Sequence, residues 1–251
     1  MAFSFQDHFS KQASHYAEYR PDYPKSLFTY LASLTQSHER AWDCGTGNGQ
    51  AAADLALHFD EVIATDPSAK QIEQAIRHPR IKYAAGAAGE KTPNQDASVD
   101  LVTVAQAAHW FDFDKFYAEV RRVLKPKGVI AIWCYERDWQ ISSRVNQILK
   151  NYSEEIVGPF WAPEVRYVTE HYQTLSFPFE ELKAPQLFLE AKWNFEGIIG
   201  YLLSWSATQK YIEKNAQNPV EIIQADLLSA WGNPEEQKSM HWPIYMRLGR
   251  L

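Results

Sequence analysis

The stretch "RAWDCGTGNGQAAADLALHF", residues 40–59, constrains this chain more than any other. Gly45, Gly47 and Gly49 separate a short apolar run from an alanine-rich run with apolar residues at helical spacing. Strand, glycine turn and helix in succession make a nucleotide-binding arrangement. Glycine adopts positive φ without strain and lets the backbone approach a ligand closely. The helix N-terminus adds free N–H groups. In an open parallel sheet the ligand lies beyond the C-terminal ends of the strands.

The next segments continue the alternation. "EVIATD" reads as a second strand and "SAKQIEQAIRH" as a second helix closed by Pro79. "IKYAAG" and "VDLVTVAQ" supply a third and a fourth strand, the latter nearly continuous in apolar residues, as befits a strand covered on both faces. "DFDKFYAEVRRVLK" places Phe116, Val120, Val123 and Leu124 on one helical face, and the turn "KPKG" separates it from a fifth strand, "VIAIWCY". Such alternation predicts an α/β fold with a Rossmann-like, doubly wound, mostly parallel sheet. Beyond residue 136 the rhythm breaks. "ISSRVNQILKNYSEEIV" is helical, "GPFWAPEVRYVTEHY" is a Pro- and aromatic-rich connection, and "LFLEAKWNF" is a strand. Two or three short helices are expected over residues 195–230. "MHWPIYMRLGRL" closes the chain as an antiparallel C-terminal edge, with Pro243 at an edge or bulge. With 251 residues the chain suits a single domain carrying a helical insertion. Within it, residues 1–37 are expected as an N-terminal lid segment, 38–135 as the cofactor-binding core, and 136–251 as a helical substrate cap with the last strands.

Charge and composition narrow the partners. A net charge of −6 argues against a broad phosphate-binding surface, so nucleic acid is not expected. No run of apolar residues is long enough for a membrane span, and the polar opening "MAFSFQDHFSKQASHYAEYR" does not resemble a signal peptide. Cys44 and Cys134 end predicted buried strands and read as small core hydrophobes. No Cys/His spacing suits a metal. A cytoplasmic monomer or homodimer acting on a small molecule is the expectation. Aromatic residues make up 14% of the chain, enough to line a pocket as well as fill a core.

Two cofactor classes fit the glycine turn. From Gly47 the sequence G-N-G-Q-A-A satisfies a dinucleotide pattern, with Asp66 as the ribose-binding acid. From Asp43 it reads D-C-G-T-G-N-G. A carboxylate at the mouth of that turn sits badly beside a pyrophosphate but suits a ligand carrying an ammonium and a sulfonium, as S-adenosylmethionine does. Asp66 would again take the ribose hydroxyls.

The segments "WDCGTGNGQAAADLA", "VIATDPSAKQIEQA", "VDLVTVAQAAHWFD" and "EVRRVLKPKGVIAIW" stand in an order and spacing that resemble the successive motifs of class I S-adenosylmethionine-dependent methyltransferases. The resemblance covers residues 15–135. "SHYAEYRPDYP" and "AQAAHWFD" are similar to the small-molecule group that includes trans-aconitate methyltransferase. It implies that Asp43, Gly45, Gly47 and Gly49 wall the methionine part of the cofactor, and that Asp66 binds its ribose. It further implies that Ala87 and Ala88 contact adenine, that Gln106 flanks the methionine moiety or the methyl group, and that Tyr16 and Arg20 close over the site. A carboxylate common in the adenine loop is replaced here by Gly89, with Glu90 one place on. The implied activity is methyl transfer from S-adenosylmethionine to a small acceptor, a carboxylate or a hydroxyl. A nicotinamide-dependent oxidoreductase and a non-catalytic cofactor-binding protein of the same fold are the rival readings.

In-line methyl transfer needs alignment and exclusion of water. A hydroxyl acceptor also benefits from a base. His109, beside a strand mouth, is the residue to test as that base or as a lining residue. Trp110, Trp133, Tyr135 and Arg166 are the expected substrate contacts, with Trp161, Tyr167, Trp193, Trp205 and Arg247 as further candidates in the second half.

Overall fold

Five apolar strands form the parallel half of one eight-stranded sheet: β1 (Arg40–Cys44), β2 (Glu61–Asp66), β3 (Ile81–Ala85), β4 (Val99–Ala105) and β5 (Leu124–Tyr135). Their order is β3-β2-β1-β4-β5. The chain first winds outward from β1 to β3 and then restarts on the other side of β1 with β4. That reversal opens a crevice at the C-terminal ends of β1 and β4. The computed structural model describes residues 19–136 and 141–251.

Helices cover both faces. α1 (Lys25–Ser33) sinks Leu27, Phe28 and Leu31 fully into the core, so this part of the expected lid segment packs on the sheet. α2 (Gln50–Leu55) and α3 (Ala69–Glu73) are shorter than their periodicity predicts. The cause at α3 is competition for backbone groups. Ile76 N–H donates to the Asn48 carbonyl at 2.9 Å, and the Tyr83 hydroxyl donates to the Ile76 carbonyl at 2.7 Å. These bonds draw residues 74–80 toward the glycine turn instead of letting the helix continue. α4 (Phe113–Val123), capped by Asp112, buries Phe116, Val120 and Val123. Each such side chain contributes roughly 1.5–3 kcal/mol. Leu124 leaves the helix and opens β5, which runs through "KPKG" as an irregular strand.

After β5 come α5 (Ser143–Asn151), a π turn over Tyr152–Ile156, and α6 (Arg166–Thr169) within the aromatic connection. β6 (Glu180–Glu181) and β7 (Leu187–Trp193) follow, then three helices, α7 (Phe195–Leu203), α8 (Ser206–Asn215) and α9 (Val220–Trp231). The last strand, β8 (Lys238–Arg250), is not an edge. It pairs antiparallel with β5 on one side and with β6 and β7 on the other. Pairing with β5 begins one residue after Pro243, at Tyr135↔Ile244, and Pro243 stands opposite Phe188 of β7, so it has no partner on the β5 side. Cys44 and Cys134 are buried free thiols. Among the described residues, no helix is long and apolar enough to cross a membrane.

The N-terminal rim of the sheet is tied by one acid. Asp100, 2% exposed, sits at the irregularity between β4 and β5. It accepts from the Glu39 and Arg40 amides, both at 2.9 Å, and from Lys125 Nζ at 2.8 Å. Asp100→Ala would leave two amides and the Ser37 hydroxyl without their acceptor, while Lys125 keeps the Glu39 carboxylate at 2.6 Å. We expect a loss of about 1–3 kcal/mol, read as a lowered urea midpoint with an unchanged slope.

Candidate functional site

At the opposite rim, β1 ends in Asp43 and the glycine turn. The turn needs left-handed backbone at Gly45, Gly47 and Gly49, with φ of 72°, 56° and 82°. The three serve different ends. A Cβ on Gly45 would stand 2.6 Å from Ala107 Cβ, so this glycine lets the turn pack against the segment after β4. A Cβ on Gly49 would collide with the Tyr83 hydroxyl. At Gly47 nothing lies within 4 Å, and it is this glycine that faces open space.

Asp43 is completely buried and does not reach the mouth of the turn, as the sequence suggested it would. Its two oxygens accept from Thr46 Oγ1 at 2.6 Å and from Thr103 Oγ1 at 2.8 Å, tying the turn to β4. Desolvation lifts its carboxyl to about 6 against the pull of those two hydroxyls, with a further push from the Asp66 charge. Asp66, at the end of β2, accepts from Gly47 N–H at 2.9 Å and Ser68 N–H at 2.8 Å. Two carboxylates thus lie beneath and beside the turn. They disfavour a pyrophosphate there and suit a cationic ligand, which fits S-adenosylmethionine and tells against the dinucleotide reading.

The loop after β3 follows the same rim, with Gly86 N–H donating to the Asp66 carbonyl at 3.1 Å. Glu90 folds back and accepts from Ala87 N–H at 3.1 Å. Gly89 has a φ of 89°, and a Cβ there would press 2.5 Å from Lys115 Cβ, so this position favours glycine. Ala88 packs against the core beneath α4.

Gln106 ends β4 in a left-handed conformation, φ 55°, uncommon for a residue with a side chain. Its amide bonds both backbone groups of Tyr135: Nε2 donates to the carbonyl at 3.2 Å, and Oε1 accepts from N–H at 2.9 Å. The side chain continues the β4–β5 ladder where the main chain stops. Beyond it opens a narrow crevice that encloses about 90 Å³.

Arg20, Gln106, His109, Trp110 and Tyr135, far apart in sequence, all line this crevice. Arg20 donates to the Tyr135 hydroxyl at 3.0 Å and lies over the Tyr201 ring at 5.4 Å. His109 Nδ1 stands 2.8 Å from the Tyr172 hydroxyl. Burial lowers its imidazole to about 3, so it is neutral at physiological pH. Glu136 reaches the rim and accepts from His171 Nε2 at 2.8 Å, and His171 stacks on Tyr245. The cap closes the far side with Trp161, Tyr201 and Trp205.

Two expected contacts fall elsewhere. Trp133 is fully buried against Tyr23 and Phe28, two residues short of the strand end where Tyr135 enters the crevice. Arg166 bonds and overlies its neighbour Tyr167 at the surface. Arg247, raised as an acid-binding candidate, is sealed onto Glu181 and the carbonyls of Tyr172, Gln173 and Leu175. Trp193 packs on Trp242 and Tyr201. Tyr16 lies outside the described residues. Sequence reasoning passed over Tyr172, Glu136 and Tyr201, and no local signal marks them.

A methyltransferase-domain family model matches residues 42–132. A candidate methyltransferase of Dictyostelium discoideum is 33% identical over 252 residues, 98% of this chain and 95% of the relative. The solved structure of a candidate type II methyltransferase from Anaeromyxobacter dehalogenans superposes with a TM-score of 0.85 at 41% identity, over 92% of this chain and 97% of that one. A phosphoethanolamine N-methyltransferase of Haemonchus contortus, solved with phosphomonomethylethanolamine and S-adenosylhomocysteine, shares the fold at a TM-score of 0.50 and 16% identity, over 100% of this chain and 61% of that one.

The buried Asp43 has a stability signature. Its folded value, about 6, lies above the ordinary 3.8, so the folded state binds the extra proton. Its contribution is fully present below pH 3.8 and is lost as pH rises through about 6. Relative to wild type, Asp43→Asn should therefore gain about 3 kcal/mol between these limits. Paired urea titrations across that pH range check it, and a difference that stays flat would show the carboxyl to be unperturbed.

Proposed function

The chain belongs to the class I S-adenosylmethionine-dependent methyltransferases, and from that premise we propose that its crevice methylates a small molecule at oxygen, on a carboxylate or a hydroxyl. S-adenosylmethionine is the methyl donor. The observation that carries the proposal is the continuity of one rim. The carboxylate-flanked glycine turn, the strap at Gln106 and the aromatic chamber beyond it follow one another along the C-terminal strand ends.

The open side of Gly47 and the Asp66 carboxylate would hold the methionine and ribose parts, and Ala87 and Ala88 the adenine. Arg20 and Gln106 stand between that region and the acceptor chamber. Bound there, the cofactor would supply a methyl group on a sulfonium to an acceptor oxygen held in the chamber. The chain's own task is positioning. Trp110, Trp161, Tyr201 and Trp205 exclude water from the acceptor side, while the Arg20–Tyr135 bond holds the entrance. No nucleophile from the protein is needed. A walled chamber on the acceptor side also favours turnover over mere cofactor binding.

Thermal unfolding with S-adenosylhomocysteine and, separately, with NAD(P)H tests the cofactor reading. At a hundred times its dissociation constant the former should stabilise by about 2.7 kcal/mol, and the latter should not. Asp66→Ala should weaken S-adenosylhomocysteine binding at least roughly tenfold in calorimetry. An unchanged affinity would remove Asp66 from the ribose site.

A further inference from the structure

The pairing of His109 with Tyr172 decides what His109 can offer. Tyr172 is completely buried, and burial raises its phenol well above the ordinary value, so the O–H stays on the ring. A buried hydroxyl proton needs an acceptor. Among the described residues the one side-chain group within hydrogen-bond distance of the Tyr172 hydroxyl is His109 Nδ1, at 2.8 Å. The backbone amides of His109 and Ala108 lie near the same oxygen and partly offset the effect of burial on the phenol. The phenol therefore donates to Nδ1, Nδ1 is the unprotonated nitrogen, and the ring proton of the neutral imidazole sits on Nε2. Nε2 has no partner among the described residues, and His109 lines the crevice.

We propose that Tyr172 is a positioning residue that locks His109 as an Nε2–H donor facing the crevice, and that the acceptor is recognised through an oxygen that takes this hydrogen bond, as a carboxylate does. A histidine so arranged cannot remove a proton through Nε2, whose lone pair is absent. It is not the base that a hydroxyl acceptor would need.

The rest of the chamber agrees. The Tyr135 hydroxyl accepts from Arg20, and its own proton has no acceptor among the described residues. The crevice thus offers His109 Nε2–H and the Tyr135 hydroxyl as donors, backed by a guanidinium, with the Ser206 hydroxyl beside them. Its one carboxylate, Glu136, is engaged at the rim by His171. A carboxylate acceptor completes the balance. One oxygen takes the donors, the other forms the C–O bond to the methyl group, and the C–S pair returns to sulfur with no proton to dispose of.

This inference rests on the proposed methyl transfer but can be tested apart from it. In full-length protein with nitrogen-15 histidine, identified by loss of the signal in His109→Gln, Nδ1 should resonate as an unprotonated and Nε2 as a protonated nitrogen. That pattern should hold from about pH 5.5 to about pH 8. A proton on Nδ1, or an imidazolium in that range, overturns the lock. Tyr172→Phe should populate the other tautomer and raise KM for an acid acceptor roughly tenfold while S-adenosylhomocysteine affinity stays unchanged. If Tyr172→Phe does not fold, His109 itself provides the comparison. His109→Gln keeps an N–H donor and should retain KM, whereas His109→Leu should not.

The acceptor class is read with labelled S-adenosylmethionine and matched sets of short carboxylic acids, their primary amides and their alcohols. Transfer to acids alone supports the proposal. Preferred transfer to alcohols, or none to acids while S-adenosylhomocysteine binds, overturns it and leaves the methyltransferase reading standing. Failure to bind S-adenosylhomocysteine would sink that reading, and the acceptor class with it.

Discussion

The ligand end of the sheet depends on a carboxylate that no ligand can touch. Asp43 is buried without a cationic partner among the described residues, and two threonine hydroxyls share its charge. A buried charge left unpaired is costly, so those two bonds are obligatory and not ornamental. Because one comes from the turn at Thr46 and the other from β4 at Thr103, satisfying the charge fixes the turn against the neighbouring strand. Asp66 repeats the device from β2 by holding Gly47 N–H. Gln106 repeats it between β4 and β5 with a neutral amide. Three side chains thus register four strand ends, and the open face of Gly47 is held still on rigid elements.

The acceptor side is built differently, by packing. β8 is an interior strand whose first half pairs with β7 and whose second half pairs with β5. The three helices inserted between β7 and β8 are therefore anchored on both sides to the sheet that carries the cofactor end. Tyr201 and Trp205 belong to that insertion, and both are nearly fully buried while still edging the crevice. Their apolar bodies stabilise the cap, and their exposed edges shape the chamber. Residues that serve the core and the site together leave little freedom to alter one without the other.

What could be read from the sequence follows from what periodicity reports. Apolar runs of strand length mark β1 to β5, because a strand covered on both faces has nothing polar to show. The same signal cannot say where a helix stops when tertiary bonds compete for its backbone, as Asn48 and Tyr83 do for Ile76. Nor does it say how far along a strand the crevice begins. Trp133 and Tyr135 share a face two residues apart, yet only the last of them clears the core. Asp43 was legible as a carboxylate at the turn but not as a buried one, since its partners Thr46 and Thr103 are ordinary residues until the fold brings them together. Tyr172 was illegible for the same reason: its partner lies in another half of the chain, and nothing near it is periodic.

His109 shows how burial changes a residue's chemistry without moving it. In water an imidazole near neutrality is a proton exchanger. In this crevice, desolvation makes the cation so unfavourable that the ring stays neutral, and the neutral ring has one donor and one acceptor to assign. The structure assigns the acceptor inward, to a phenol that has no other use for its proton. What remains for the ligand is a directed N–H on a ring wedged between Trp110 and Tyr172, with ring centroids 4.7 and 6.1 Å away. Such a group cannot tune a rate by titrating. On the proposed reading it selects, by geometry, which acceptor oxygen is turned away from the methyl donor and which is left free to attack.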